Sequence, residues 1–598
     1  MKNIPTYIRY LNSFIIMFIS FIICYFFLSG SHFIKKLNWD IYEIKKEDLN
    51  PEKFLFSEIN MNNINKNQNK NKDIHDIIIG IDFGSAFSGY SYTIKNVITK
   101  IKSNKKFPSD IILSRKLQNG LIYSKSASIT MTNYNQKELR KILYISSIKT
   151  IIESKNETLN DNLCYYYPSD IYLNITKDIS SYFTMFKNII MNEIQESNNE
   201  KILWVIAIPS NWDEFQKQMM VKSLKDSNIN NIKLIYESDA ASLSIYNDKY
   251  IDNEYKKKDN IFLLIDLGAS SATFSVNKFE DKEGTIKHLY TNVKNNIGTN
   301  YVIEEIINIF THLLLDSNLD NIKSSYPGDW IKFLKDINKA IEDTYNLNGI
   351  EIFEIANIFG IKDDLYYFYD DVRYNIKFNN FYIIIPSNLI GKIISKSIDK
   401  IKSSLEQIIS ELKKNKIKLN YLILTGGFSQ NKIIKEEIGK YAKEKSLSIQ
   451  SFTSYQNAIS KGCVIYGINP ECLSPKKCPI NLGIFNFIKN EMEILIKKGE
   501  EIKSEINIVK YIKPQLENQK VIQIFVYLTD KEIKDGKDLK KYLFGRVLIK
   551  MNKYYENIKL TIKYDTHINF SAFDCIKEEY IYTEFQFFNN NQIKLISN

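Results

Sequence analysis

Two distant segments of the chain share one design. "IIIGIDFGSAFSGYSYTI", Ile77 to Ile94, runs four apolar residues toward Asp82, turns through Gly84, and resumes as an apolar, aromatic strand pattern. "LLIDLGASSATFSV", Leu263 to Val276, repeats the plan with Asp266, Gly268 and small hydroxyl residues. One such stretch is an ordinary hairpin, with aspartate starting the turn and glycine supplying permissive backbone. Two of them exceed that reading, the more so because "LILTGGFSQNK" adds a third loop that joins a strand to a helix through Gly426 and Gly427. Loops of this kind can grip a polyphosphate from opposite sides, since glycine and serine let backbone N–H groups reach an anion unobstructed. Asp82 and Asp266 would then face Mg2+ and its waters, a hard cation that prefers oxygen ligands. The glycine pair would meet a nucleotide on its other flank, at a helix N-terminus.

The surrounding pattern is α/β. A strand at Ile77–Ile81, a helix near Ile179–Ile194, the strand "ILWVIAIP", a helix and the strand "NIKLIYE" alternate, and a second round follows from "IFLLIDLGASSATFSV". In the segment Leu389 to Leu412, Ile390, Ile394, Ile398, Ile401, Leu405, Ile408 and Leu412 recur every three or four residues, one apolar helix face set against a sheet. Beyond about Pro479 the texture becomes short alternating segments such as "KVIQIFVYL" and "IKLTIKYD", which read as a compact β domain. The expected division is an N-terminal anchor or signal segment at 1–30, a polar linker at 31–73, a nucleotide-binding unit at 74–480 and a β-rich unit at 481–598. At 598 residues the chain needs more than one core.

Near the start, "LNSFIIMFISFIICYFFL", Leu11 to Leu28, is apolar and just long enough to enter a bilayer core of roughly 30 Å. A single-pass membrane anchor is expected, with a cleaved signal peptide as the rival. Lysine and arginine lie on both sides of it, so the main body is assigned neither to the cytosol nor to the endoplasmic reticulum lumen. The net charge of +11 arises from dispersed side chains without a long basic block, and no nucleic-acid partner is expected. Six cysteines without repeated CxxC spacing and five scattered histidines support neither a zinc site nor a disulfide scaffold, although a Cys472–Cys478 bridge stays open.

Taken in order, these loops look like the actin, hexokinase and heat-shock ATPase superfamily, and more narrowly resemble the heat shock protein 70 family in its divergent member-12-like branch. "ILWVIAIPSNWDEFQKQMM", "LIYESDAASLS", "YLILTGGFSQNKIIKEEI" and "ISKGCVIYGINPECL" carry the resemblance beside the first loop, over residues 76 to about 480. It implies a two-lobed ATPase domain, a duplicated ribonuclease-H-like fold, followed by a small β-sandwich-like domain. ATP and Mg2+ are the implied cofactors and a protein client the implied partner. Carried over by motif, Asp82 and Asp266 serve the metal and its waters, Glu237 has a similar acidic role, and Lys149 is aimed at the transferred phosphate. An ordinary solvated helix lysine and a plain helix-start acid are the competing readings of Lys149 and Glu237. Gly84, Ser85 and Ala86 of the first loop, Gly268, Ala269, Ser270 and Ser271 of the second, and Gly426, Gly427 and Phe428 of the third are the implied nucleotide contacts.

The sequence also departs from that family. Where the family has a second aspartate in its second loop, this chain has Thr273, which can orient a water but supplies no charge. The positions of the family's adenosine clamp fall on Asn338, Ile341 and Glu342, and the interdomain linker "NPECLSPKKCPINL" is basic rather than acidic. Two functions therefore compete: a membrane-tethered chaperone-like protein with weak ATP hydrolysis, and a non-hydrolysing nucleotide-sensing scaffold.

Overall fold

Strand β1 (Ile77–Asp82) divides its side chains between two cores. Ile77, Ile79 and Ile81 pack with Tyr182, Phe183 and Phe186, whereas Ile78 packs with Leu264 and Val464 on the other side. That is the period-two alternation of a strand covered on both faces, which is why it reads as one apolar run. The structure, a computed structural model, describes Ile59, Asn60 and most of residues 75–587; stretches outside it include 123–141, 154–163, 167–174, 354–363 and 532–541. The apolar segment Leu11–Leu28 also lies outside the described residues, and among those described no helix is long and apolar enough to cross a membrane.

Two sheets repeat one topology. β1 pairs antiparallel with β2 (Phe87–Ile94), which pairs with β3 (Lys102–Ser103); on its other side β1 runs parallel to β4 (Ile202–Ile208), and β4 parallel to β5 (Ile232–Tyr236). In the second sheet β6 (Ile261–Leu267) pairs antiparallel with β7 (Ser271–Phe279), which pairs with β8 (Ile286–Asn295), while β6 runs parallel to β9 (Tyr421–Thr425) and β9 to β10 (Ser448–Ser451). The helices follow the same rounds: α1 (Ile148–Glu153), α2 (Ile175–Ile194), α3 (Glu214–Asp226) and α4 (Glu237–Tyr246), then α5 (Thr299–Leu314), α6 (Pro327–Asp343), α7 (Ser387–Lys414), α8 (Lys432–Glu444) and α9 (Ala458–Ile468). All seven stripe residues of α7 are buried in the second unit's core. Asp213 caps α3 by accepting from Gln216 N, and the Gln216 side chain accepts in return from Asp213 N, a reciprocal box that satisfies two orphan donors.

Between the two sheets lies a third core, built from Ile78, Val205, Phe262, Leu264, Tyr421 and Ile423 together with α4 and α9. The two helices cross there at backbone distance, since a Cβ on Gly462 would sit 1.7 Å from the Ala240 carbonyl oxygen. Beyond α9, two five-stranded sheets share one further apolar core. One contains Ile506–Ile512, Ile558–Tyr564, Ile568–Asp574 and Glu579–Ile581, with Ile59–Asn60 added at its edge. The other contains Asn481–Asn486, Glu491–Ile496, Val521–Thr529, Leu543–Lys550 and Thr583–Phe587. This unit rests on α3 and β5: Ile568 N donates to Glu214 Oε1 at 2.8 Å, Gln218 Nε2 donates to Ile568 O at 2.5 Å, and the Thr566 hydroxyl donates to Leu234 O of β5 at 2.9 Å. Cys472 and Cys478 are both free thiols, so the bridge left open by the sequence does not form.

Gly462→Ala is expected to lower the melting temperature by several degrees, because overpacking backbone against backbone costs about 1–3 kcal/mol or more. Gly439→Ala in α8, where an added Cβ meets nothing within 4 Å, is expected to leave stability equal or slightly raised. Calorimetric melts of the two variants beside the parent chain check the contrast.

Candidate functional site

Asp82 ends β1 only 2% exposed, and Asp266 occupies the corresponding place on β6. Lys149 projects from α1 and brings Nζ to 2.5 Å from Glu237 Oε1, the carboxylate of the first residue of α4. Both side chains are largely enclosed, so Lys149 is not a solvated helix lysine, and Glu237 is a helix-start acid that also carries a buried ion pair. Burial works against the Lys149 charge, but the carboxylates of Glu237 and Glu153 outweigh it and hold the ammonium above its ordinary range. For Glu237 burial dominates and raises the carboxyl, with Lys149 opposing it. Asp266 keeps some contact with solvent, yet burial, followed by repulsion from Glu237 and Asp82, pushes it up to about 7. Four of the residues expected from the sequence therefore form one electrostatically coupled cluster, contributed by both α/β units.

The three loops close around this cluster. Ser109 pins the first by donating its hydroxyl to Gly84 O at 2.7 Å and its N–H to Ala86 O at 2.9 Å, leaving Ser85 and Ala86 partly open. In the second, Gly268 N donates to Ser271 O at 2.9 Å, while Ala269 O accepts from Asn300 N in the first turn of α5 and Ser270 O from Asn296 N just after β8. In the third, Gly426 adopts φ +87°, and a Cβ there would meet Leu267 O at 2.3 Å and Asp266 Oδ1 at 2.5 Å, so only glycine fits. Gly427 faces open space. The glycine pair does not open the helix directly: a short 3-10 turn, Phe428–Gln430, intervenes, and α8 starts at Lys432 under an Asn431 cap. Phe428 sends its ring into the apolar core, which leaves its backbone as the part that could meet a ligand.

Two further residues belong to the site. Lys106 Nζ lies 2.5 Å from Asp82 Oδ2, and Ser109 holds the first loop as described. Neither is flagged by spacing or by the resemblance, because both lie in the turn "KKFPSD" that reads as an ordinary connection. Thr273 is the cross-strand partner of Asp266 in β7 and is nearly buried, so the position that would carry a second charge is an alcohol. Ile341 lies in the core, its carbonyl accepting from Asn431 Nδ2 at 2.8 Å, so its side chain is not free to hold a base.

A resident divalent cation needs oxygen ligands that no other cation already occupies. Here Lys106 stands on Asp82, Lys149 stands on Glu237, and Thr273 brings no charge. Among the described residues no group of three His, Cys, Asp or Glu side chains is placed to hold a metal. The residues present thus fit an anion such as a phosphate chain and do not fit a resident metal ion.

Duplicated α/β units closing on three glycine-bearing loops describe an actin-like, two-lobed nucleotide-binding fold. Residues 178–329 match the family described as Hsp70 protein. The chain is 18% identical over 498 residues to heat shock 70 kDa protein 12A of Mus musculus, covering 68% of this chain and 72% of that one. It is 23% identical over 343 residues to the chaperone protein dnaK of Cyanidium caldarium, 56% of this chain and 50% of that one, and 26% identical over 256 residues to the chaperone protein HscA of Buchnera aphidicola. The chain thus spans about half the length of dnaK. In these matches the chain is similar to divergent members of the heat shock protein 70 family.

Because Asp266 is protonated more readily folded than unfolded, its burial costs the fold progressively more as pH rises from the ordinary carboxylate range to about 7, and the cost levels off above that. Asp266→Asn is expected to raise the melting temperature by several degrees at pH 8.5 and by distinctly less at pH 5. Melts at the two pH values check this, and equal shifts at both would contradict it.

Proposed function

We propose that the chain binds ATP in the cleft between its two α/β units and uses that binding, with slow hydrolysis, to govern how the C-terminal β unit holds a protein client. The supporting observation is the convergence of Asp82, Lys149, Glu237 and Asp266 from both units beside three loops suited to phosphate. On this reading the first loop (Gly84, Ser85, Ala86) and the second (Gly268 to Ser271) flank the phosphates, and Gly426, Gly427 and the Phe428 backbone lie on the nucleoside side. Lys149 supplies positive charge to the terminal phosphate, while Glu237 and Asp82 orient the attacking water. The expectation that Asp82 and Asp266 hold Mg2+ has less support, since Asp82 is already paired. A metal ion arriving with the nucleotide would neutralise phosphate charge.

The unit boundaries follow as 74–480 for nucleotide binding and 481–598 for a β-sandwich-like client-binding unit. Nucleotide state has a route between them. The β unit is hydrogen-bonded to α3 through Glu214 and Gln218, and Lys476 of the basic linker pairs with Asp239 of α4, two residues beyond Glu237. The names of the chaperone relatives support a client-handling role. Thr273 favours the second reading, a nucleotide-sensing scaffold that does not turn over. We also propose that Leu11–Leu28 tethers the chain to a membrane.

A steady-state ATPase assay on the purified chain decides between the two readings. Phosphate release abolished by Asp82→Asn is expected for the enzyme. Nucleotide-dependent stabilisation without release identifies the scaffold, and neither effect would defeat both. For the tether, alkaline carbonate extraction is expected to leave the expressed chain in the membrane pellet and to release a form lacking residues 1–30.

A further inference from the structure

We infer that Lys106 is a tethered cation standing where a divalent metal would otherwise meet Asp82, so that the site binds a nucleoside triphosphate through two lysine ammonium groups without needing magnesium. The inference rests on the nucleotide reading above and adds its ion requirement.

Lys106 is built into the site rather than draped over it. Its side chain crosses β2 above Gly89, the residue directly opposite Asp82 in the β1–β2 register, and a Cβ at Gly89 would lie 2.9 Å from Lys106 Cγ. Glycine leaves that path open, and a Cβ there would press on the lysine stem. The backbone is fixed at the next position: Phe107–Pro108 pairs with Phe87–Ser88, the Phe107 ring packs edge-on against Phe186 at 4.9 Å, and Ser109 binds the first loop. Nζ arrives 2.5 Å from Asp82 Oδ2, an oxygen that has no hydrogen-bond partner among the described residues apart from this ion pair.

Charge and chemistry point the same way. Asp82, Glu237 and Asp266 are faced by Lys106 and Lys149, and Thr273 stands opposite Asp266 where a further carboxylate would complete an oxygen set for a hard cation. A divalent ion placed at Asp82 would have to expel an ammonium group whose path the strand is shaped to admit. An ammonium carries three donors, so Lys106 can keep Asp82 and still reach phosphate oxygens as a point charge. Partly exposed, with Asp82 enclosed behind it, Lys106 stands at the open side of the pair.

The test is calorimetric titration of ATP into the full chain, once with excess EDTA and once with magnesium. The parent chain is expected to bind with dissociation constants within about threefold of each other. Lys106→Met, which keeps the stem and removes the charge, is expected to lose at least tenfold in EDTA and to recover with magnesium. Lys106→Arg is expected to stay within a few-fold of the parent in EDTA, which guards against a misfolded methionine variant. Electron paramagnetic resonance of Mn2+ with ATP supplies a second readout, with Lys106→Met binding the ion more tightly than the parent. Tenfold or greater loss of parent binding in EDTA, or unchanged EDTA binding by Lys106→Met, overturns the inference and leaves the nucleotide reading standing. Absence of ATP binding in both conditions overturns that reading and this one with it.

Discussion

The contact of α9 on α4 at Gly462 and Ala240 sets the geometry on which the site depends. Two sheets, each covered on its outer face by its own helices, can share an inner core only if the helices between them are thin enough. The missing side chain at Gly462 and the small residues Ala240 and Ala241 permit it. Gly80 does the same for β1, since a Cβ there would lie 2.3 Å from Ser460 O. With the sheets drawn together, the ends of β1 and β6 point into one space. The acids at those ends then feel each other, and the upward shift of Asp266 toward neutrality is the electrostatic sign of that convergence.

Such a cluster would be unstable as bare charge. Enclosed carboxylates lose hydration, and the two lysines restore balance at Asp82 and Glu237, while Asp266 is relieved by taking up a proton more easily. The arrangement is poised for an incoming anion. Phosphate oxygens can share the ammonium donors, whereas an incoming metal must first displace them.

Much of this was legible in the chain. The paired strand–aspartate–glycine stretches identify both sheet centres, and the α7 stripe marks its buried face because three-to-four spacing leaves few other readings. Glu237 and Lys149 each admit two readings from the sequence, and burial excludes the solvated one for Lys149. The short 3-10 turn after Gly427 was hidden, since a glycine pair before a helical pattern does not show where the first helical hydrogen bond forms. Lys106 was invisible for a plainer reason: in a chain with 80 basic side chains, a lysine in a polar turn carries no signal.

By itself the sequence determined the period of each element, the duplicated strand-end acids, the glycines that the loops require and the loss of a carboxylate at Thr273. These are local properties, fixed by side-chain chemistry and by which backbone angles a residue tolerates. Tertiary structure decided which charges share an enclosed space. Lys106 meets Asp82 across Gly89 of β2, which lies opposite Asp82 in the register, and Lys149 meets Glu237 across 88 residues of chain. Charge pairing inside a protein depends on distance and exclusion of water, and neither is written in the order of residues.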